Sequence, residues 1–256
     1  MKMSITEGNP FNVTLHGLVW EHVNKLRPES LLDYGAHDGK FIAGCSMTGI
    51  CSVGFGVDLN SSSISDAKDK MPNNVTLEVI RKGEKLPFED ERFECITMLG
   101  VLEHIEDQKA ILAELHRVLK PKGTILLLVP GQYLFSFLDL GNWKFKFPHI
   151  HKYFFCKKHS YDEYKRRYID CENGLFGDIE SEKGWHEHFS KEYLSSLMTL
   201  NGFRQDAIDG AGFFNRVLLL IELLLPGPLK RTTQFLIKMD FKWFSRSELL
   251  YVGRKQ

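Results

Sequence analysis

Short apolar runs punctuate the chain near 30–35, 53–58, 75–80, 94–99 and 123–129. Between them apolar residues recur at helical spacing near 38–48, 61–71 and 107–119. Runs of strand length separated by helix-length segments predict parallel strands joined by crossover helices. Upstream, Leu15, Leu18, Val19, Val23 and Leu26 share one face of a helix read from Phe11 to Leu26 and stopped by Pro28, which predicts a lid helix ahead of the first strand. Downstream, Ser190 reads as the N-cap of a helix from Lys191 to Asn201, and Gly202 as its C′ residue. Strands are then expected at Phe203–Ile208 and Glu248–Arg254. The pattern implies an α/β fold: one doubly wound, mostly parallel seven-stranded sheet in a single domain, 1–256. Two segments interrupt it. Residues 131–185 read as a cap insertion after the fifth strand, and 210–246 as an apolar helical insertion before the last.

The first two strands carry the most specific signal. Leu31-Leu32-Asp33-Tyr34-Gly35-Ala36-His37-Asp38-Gly39 ends an apolar strand in an acid and a glycine-bearing turn, and Val53-Gly54-Phe55-Gly56-Val57-Asp58 ends a second strand in another acid. In doubly wound sheets ligands bind outside the carboxyl ends of such strands. Gly35 and Gly39 permit a tight turn and close approach of a ligand. Asp58 can accept hydrogen bonds from two ribose hydroxyls. A dinucleotide fingerprint would read Gly-x-Gly-x-x-Gly. Here His37 stands where a second glycine belongs, which disfavours an NAD-dependent oxidoreductase. A cofactor with ribose and adenine but no phosphates is favoured, and S-adenosylmethionine fits that description.

The next segments sharpen this. Gly83-Glu84-Lys85-Leu86-Pro87-Phe88 precedes the strand Cys95-Ile96-Thr97-Met98-Leu99. Gly100-Val101-Leu102-Glu103-His104-Ile105 follows, then a helix ending in Lys120-Pro121-Lys122-Gly123. Together these motifs resemble the class I S-adenosylmethionine-dependent methyltransferases, in the branch that includes ubiquinone and menaquinone biosynthesis enzymes. The resemblance is close over Ser30–Pro130 and weak over Trp185–Phe203 and Glu248–Arg254. It implies that Asp33, Gly35, Ala36 and Gly39 shape the methionine end of the site. Asp58 would hold the ribose and Leu59 pack on the adenine. Gly83 and Glu84 would border the adenine edge, with Leu99 and Gly100 beside the sulfonium. The chain departs from the family at His37 and at Lys82, where an Asp is common. Lys82 cannot accept a hydrogen bond, so adenine recognition is expected to rest on backbone groups. These departures leave a non-catalytic cofactor-binding module as the competing reading.

Composition narrows the partners. Thirty-three bases balance thirty-three acids, so no global field argues for nucleic acid. The five cysteines show no paired spacing and read as reduced thiols. With no secretory signal or spanning segment evident, a cytoplasmic protein is expected. The second insertion holds the run Val217–Leu225, and beyond Pro226-Gly227-Pro228 a stretch from Lys230 to Phe244 mixes bases with aromatics. It reads either as packing on the cap or a dimer interface, or as a peripheral membrane contact through 217–244. Oligomeric state stays open.

The cap is dense in aromatics and bases, including Tyr133, Phe135, Phe137, Trp143, Phe145, Lys158, Arg166 and Arg167. That mixture reads either as a helical insertion with its own small core and a solvated basic face, or as a pocket for an acceptor with an apolar part and an anionic group. A small-molecule or glycan/lipid-linked acceptor methylated at oxygen is expected, with a quinone-like C- or O-acceptor as the alternative. An oxygen or nitrogen acceptor must lose a proton, and His is the usual base near neutral pH. The candidates are His104, His186 and His188. His149, His151, Cys156, His159 and Glu187 match no metal spacing, so no metal is expected.

Overall fold

The computed structural model describes residues 10–11, 15–139, 142, 146–157, 159–168 and 185–256. Trp143, Lys144, Phe145, Lys158 and Cys171 of the sequence reading lie outside the described residues, as do the side chains of Arg166 and Arg167 and most of the later part of the cap.

The strands are β1 (Ser30–Tyr34), β2 (Val53–Asp58), β3 (Val75–Val79), β4 (Phe93–Leu99), β5 (Leu119–Pro130), β6 (Phe203–Ala211) and β7 (Glu248–Lys255). The helices are α1 (Leu15–Leu26), α2 (Lys40–Met47), α3 (Ser61–Lys68), α4 (Gln108–Val118), α5 (Pro148–Cys156), α6 (Tyr161–Tyr168), α7 (Lys191–Leu200), α8 (Asn215–Leu224) and α9 (Gly227–Trp243). All strands form one sheet in the order β3-β2-β1-β4-β5-β7-β6. β7 pairs antiparallel with both neighbours, and the remaining pairs are parallel. The order reverses at β1, so β1 and β4 flank the switch point where such sheets bind ligands.

Strand periodicity divides the core into two layers. Leu32, Ile96, Ile125, Leu127, Leu249 and Tyr251 face one side, packed under α4 and α7. Their neighbours Leu31, Cys95, Leu126, Leu128 and Leu250 face the other, against α1, α2 and α3. The expected lid helix α1 is a core element: Val19, Trp20 and Val23 are buried in this second layer. The four described cysteines are thiols, and Cys45, Cys51 and Cys95 are buried. The Lys120–Gly123 turn is absorbed into β5 as an irregularity, with Leu119 already paired to Phe93 and Lys122 at φ 63°. β6 runs on to Ala211, beyond the expected end at Ile208, because β7 pairs with it along that length.

Candidate functional site

The turn after β1 is built by conformation. Gly35, His37 and Gly39 all have positive φ, at 81°, 48° and 69°. At Gly35 a β-carbon would come within 2.2 Å of Val101 Cγ2, so only glycine fits. His37 adopts a left-handed conformation that costs a side-chain-bearing residue about 1–2 kcal/mol. Two contacts offset that cost: its N–H donates to Asp58 Oδ2 at 2.7 Å, and its Nε2 lies 3.3 Å from Ser63 Oγ. The other Asp58 oxygen accepts from Asn60 N–H at 2.8 Å. Asp58 therefore ties the first turn to the end of β2. A carboxylate has about four acceptor positions, so two remain for further donors.

Asp33 ends the apolar part of β1 and is buried. Thr97 donates to its Oδ1 at 2.7 Å. Burial pushes its carboxyl up to about 7, against the Thr97 hydrogen bond and helped by the Asp58 charge.

Beside this turn opens a cavity of about 410 Å³ lined by Leu59, Gly83 and Glu84, and also by Tyr34, Ile80 and Ile111. Leu59, Gly83 and Glu84 were expected there. Lys82 lines it too, together with Asp107. Asp107 caps α4 by accepting from Ala110 N–H at 3.0 Å. It brings to the cavity a carboxylate that position 82 lacks, and sequence reasoning missed it because the two positions meet only in space. Gly83 and Gly100 face room: a β-carbon at Gly83 would meet nothing within 4 Å, and one at Gly100 only Glu103 Oε1 at 3.5 Å. The volume falls within the usual range for small-molecule sites.

Glu103 opens a second, polar region. Phe189 bridges to Gly131 in parallel, with Phe189 N–H donating to Pro130 O at 2.9 Å. That short extended segment puts His186 and His188 on one face and Glu187 on the other. Glu187 accepts from Gln108 Nε2 at 2.8 Å. All three predicted histidines come together. The rings of His104 and His186 meet edge to face at 4.4 Å. Asp139 Oδ2 lies 3.4 Å from His186 Nδ1 and 2.9 Å from His188 Nε2, with these side chains no more than 18% exposed. Asn142 fixes the His186 backbone, accepting from its N–H at 2.8 Å.

Three members of this cluster were missed. Asp139 lies in the cap, Arg216 at the start of α8 and Glu248 at the start of β7. The one signal available was Arg216 itself, a lone cation opening an apolar run. Its guanidinium is buried, 3.0 Å from His188 Nε2 and 3.8 Å from Glu248 Oε1. Burial pushes the Asp139 carboxyl up, but hydrogen bonds from His186 and His188 and the Arg216 charge outweigh it and hold it well below the usual range. Burial raises Glu248 to about 8 despite Arg216. The surroundings thus favour the ionised form of Asp139 and the protonated form of Glu248. His188 Nε2 stands between a donor and an acceptor. With a proton it donates to Asp139; without one it accepts from Arg216. An aromatic wall adjoins it: Arg216 lies 5.2 Å from the Tyr133 ring centroid, and Tyr133, Phe135, Phe213 and Phe214 pack edge to face or tilted.

A family model described as a methyltransferase domain matches residues 32–127. The ubiquinone/menaquinone biosynthesis C-methyltransferase UbiE of Marinomonas sp. (strain MWYL1) is 36% identical over 75 residues, 28% of this chain and 30% of the relative. UbiE of Francisella tularensis subsp. novicida is 36% identical over 88 residues, 33% of this chain and 35% of the relative. The chain thus spans about a third of the length of the curated relatives it matches. Among solved structures, an S-adenosylmethionine-dependent methyltransferase from Mesorhizobium loti superposes with a TM-score of 0.54 at 15% identity, covering 92% of this chain and 97% of the other. The [4+2]-cyclase SpnF superposes with a TM-score of 0.56 at 13% identity, covering 93% and 79%. At such identities the likeness is one of fold, and the cyclase shows that the fold alone does not fix the reaction. The architecture is that of the class I S-adenosylmethionine-dependent methyltransferases.

Proposed function

We propose that this chain transfers a methyl group from S-adenosylmethionine to a small-molecule acceptor. The observation that carries the reading is the Gly35–Gly39 turn clasped by Asp58 beside the cavity at the switch point of the sheet. The residues present fit that cofactor. Asp58 keeps acceptor positions for ribose hydroxyls, Leu59 and Ile111 offer apolar walls for adenine, and Gly83 and Gly100 leave open space. Asp33, Gly35, Ala36 and Gly39 would take the methionine end, and Leu99 would border the reacting centre. Asp107 is the side-chain acceptor nearest in kind to the missing Asp at position 82. When bound, the cofactor supplies an electrophilic methyl group and a sulfur leaving group.

The chain's own part is to hold the acceptor, exclude water and remove a proton. Asp139 fixes His186 with Nδ1 toward the carboxylate, which turns Nε2 to the far side of the ring as the base. His188, between Asp139 and Arg216, can pass the proton on. His104 packs on His186 and orients it. A quinone-like ring is the acceptor with most support. The matched relatives are named for the biosynthesis of such rings, and Tyr133, Phe135 and Phe213 offer an aromatic wall of ring edges and faces. Removing a ring hydroxyl proton serves methylation at that oxygen or at the adjacent carbon, so one base covers both outcomes. A glycan or lipid-linked acceptor has less support, since the names of the two relatives above do not point to it.

The test is methyl transfer from labelled S-adenosylmethionine to a panel of hydroxylated aromatic rings. His186→Ala is expected to lower turnover by about 10²–10⁴-fold, the range for a general base, with cofactor affinity unchanged. Equal turnover in wild type and variant would remove His186 from this role.

A further inference from the structure

We infer that the outer face of α9 docks on an anionic lipid bilayer. This inference is independent of the methyl-transfer reading. α9 has two faces that do different things. Thr233 and Asp240 are buried on the inner one. Asp240 is the only acid in the helix, and its carboxylate accepts from the N–H groups of Phe213, Phe214 and Asn215. That capping anchors the loop before α8 and takes the acid out of any surface role.

Along the margin of that inner face Leu229, Leu236 and Trp243 recur every seven residues, two turns apart and so nearly in line. They are 50%, 44% and 66% exposed, and Phe235 beside them is 60% exposed. An amphipathic helix normally buries its whole apolar stripe; this one leaves the margin of its stripe, from Leu229, Leu236 and Trp243 round to Phe235, exposed.

Charge decides what covers it. Arg231, Lys238 and Lys242 fall on the flank of the stripe away from the core, and all three are exposed. None forms an ion pair with a described residue. On the neighbouring helix Glu222 accepts from Gln234 Nε2 at 3.3 Å. Apolar and aromatic side chains bordered by bases make the pattern of a helix lying in a membrane interface: the stripe sinks below the headgroups while long basic side chains reach anionic phosphates. A second copy of the chain fits worse. A two-fold pairing of this face with itself would bring the bases of one copy up against those of the other. Among the described residues no helix is long and apolar enough to cross a membrane, so the contact is with the surface.

The test is flotation with vesicles of phosphatidylcholine alone and of an equimolar mixture with phosphatidylglycerol, alongside light scattering of the free protein. The expected result is binding to the mixed vesicles only, weakened by salt. Arg231→Gln, Lys238→Gln and Lys242→Gln together are expected to weaken it roughly a hundredfold. Leu236→Ser with Trp243→Ser is expected to abolish it, with the melting temperature of both variants close to wild type. Absence of binding to mixed vesicles would overturn the inference. So would binding that persists in both variants, which would place the contact elsewhere, or a solution dimer that Leu236→Ser and Trp243→Ser dissociate.

Discussion

Asp33 lies inside the molecule and holds its proton to about pH 7, because burial disfavours its charged form more than the Thr97 hydrogen bond favours it. In the unfolded chain it would ionise near 3.8. The folded state thus binds this proton more tightly. Its contribution to stability is complete below about pH 4 and is lost as pH rises through about 7. Asp33→Asn keeps an oxygen for Thr97 to donate to and removes the titration. The variant is expected to lose that part of the decline in stability between pH 4 and 7, as read by urea denaturation across the range; an unchanged profile would show that Asp33 is already ionised when folded. At this scale the sequence announced the acids and glycines of the first turn, because few other residues can end a strand in that way. It did not announce Asp139 or Arg216. Nothing local marks Asp139, and Arg216 shows only as a lone cation opening an apolar run; the role of each depends on a cap residue and an α8 residue meeting His188 in space.

Among the elements, those set by periodicity were legible and those set by pairing were not. α7 begins where its cap requires, with Ser190 Oγ accepting from Tyr193 N–H at 3.0 Å, and it ends at Gly202 with φ 83°. β6 outran its expected end because β7 offered partners as far as Ala211. Similarly, the insertion 210–246 read as apolar helices, but the inward role of Asp240 and the exposed margin of the α9 stripe emerge only once α9 sits beside the loop at Phe213. The cap of α7 also joins the segment that carries His186 and His188. Ser190→Ala is expected to cost about 1 kcal/mol of stability, measured by denaturation, with no change in cofactor affinity. A change in affinity would mean that this segment also shapes the cofactor cavity.

For the molecule as a whole, the order β3-β2-β1-β4-β5-β7-β6 organises everything else. It puts the Gly35 turn, Asp58 and Gly100 together at the carboxyl ends of β1, β2 and β4, and the histidine cluster next to them through Glu103. The matched region, 32–127, coincides with the cofactor half. The proposed acceptor half, built from the cap, the 185–190 segment and α8, falls outside it. On the proposed reading that division explains why the cofactor was legible and the acceptor was not: the cofactor would be held by turns with fixed backbone requirements, whereas the acceptor would be met by side chains drawn from scattered insertions. The most direct measurement is calorimetric titration of the purified chain with S-adenosylmethionine and S-adenosylhomocysteine, with NAD as the control. The account predicts that both sulfur nucleosides bind and NAD does not, and that Asp58→Ala weakens their binding by about 1–3 kcal/mol. No binding of either nucleoside, or binding of NAD in their place, would contradict it.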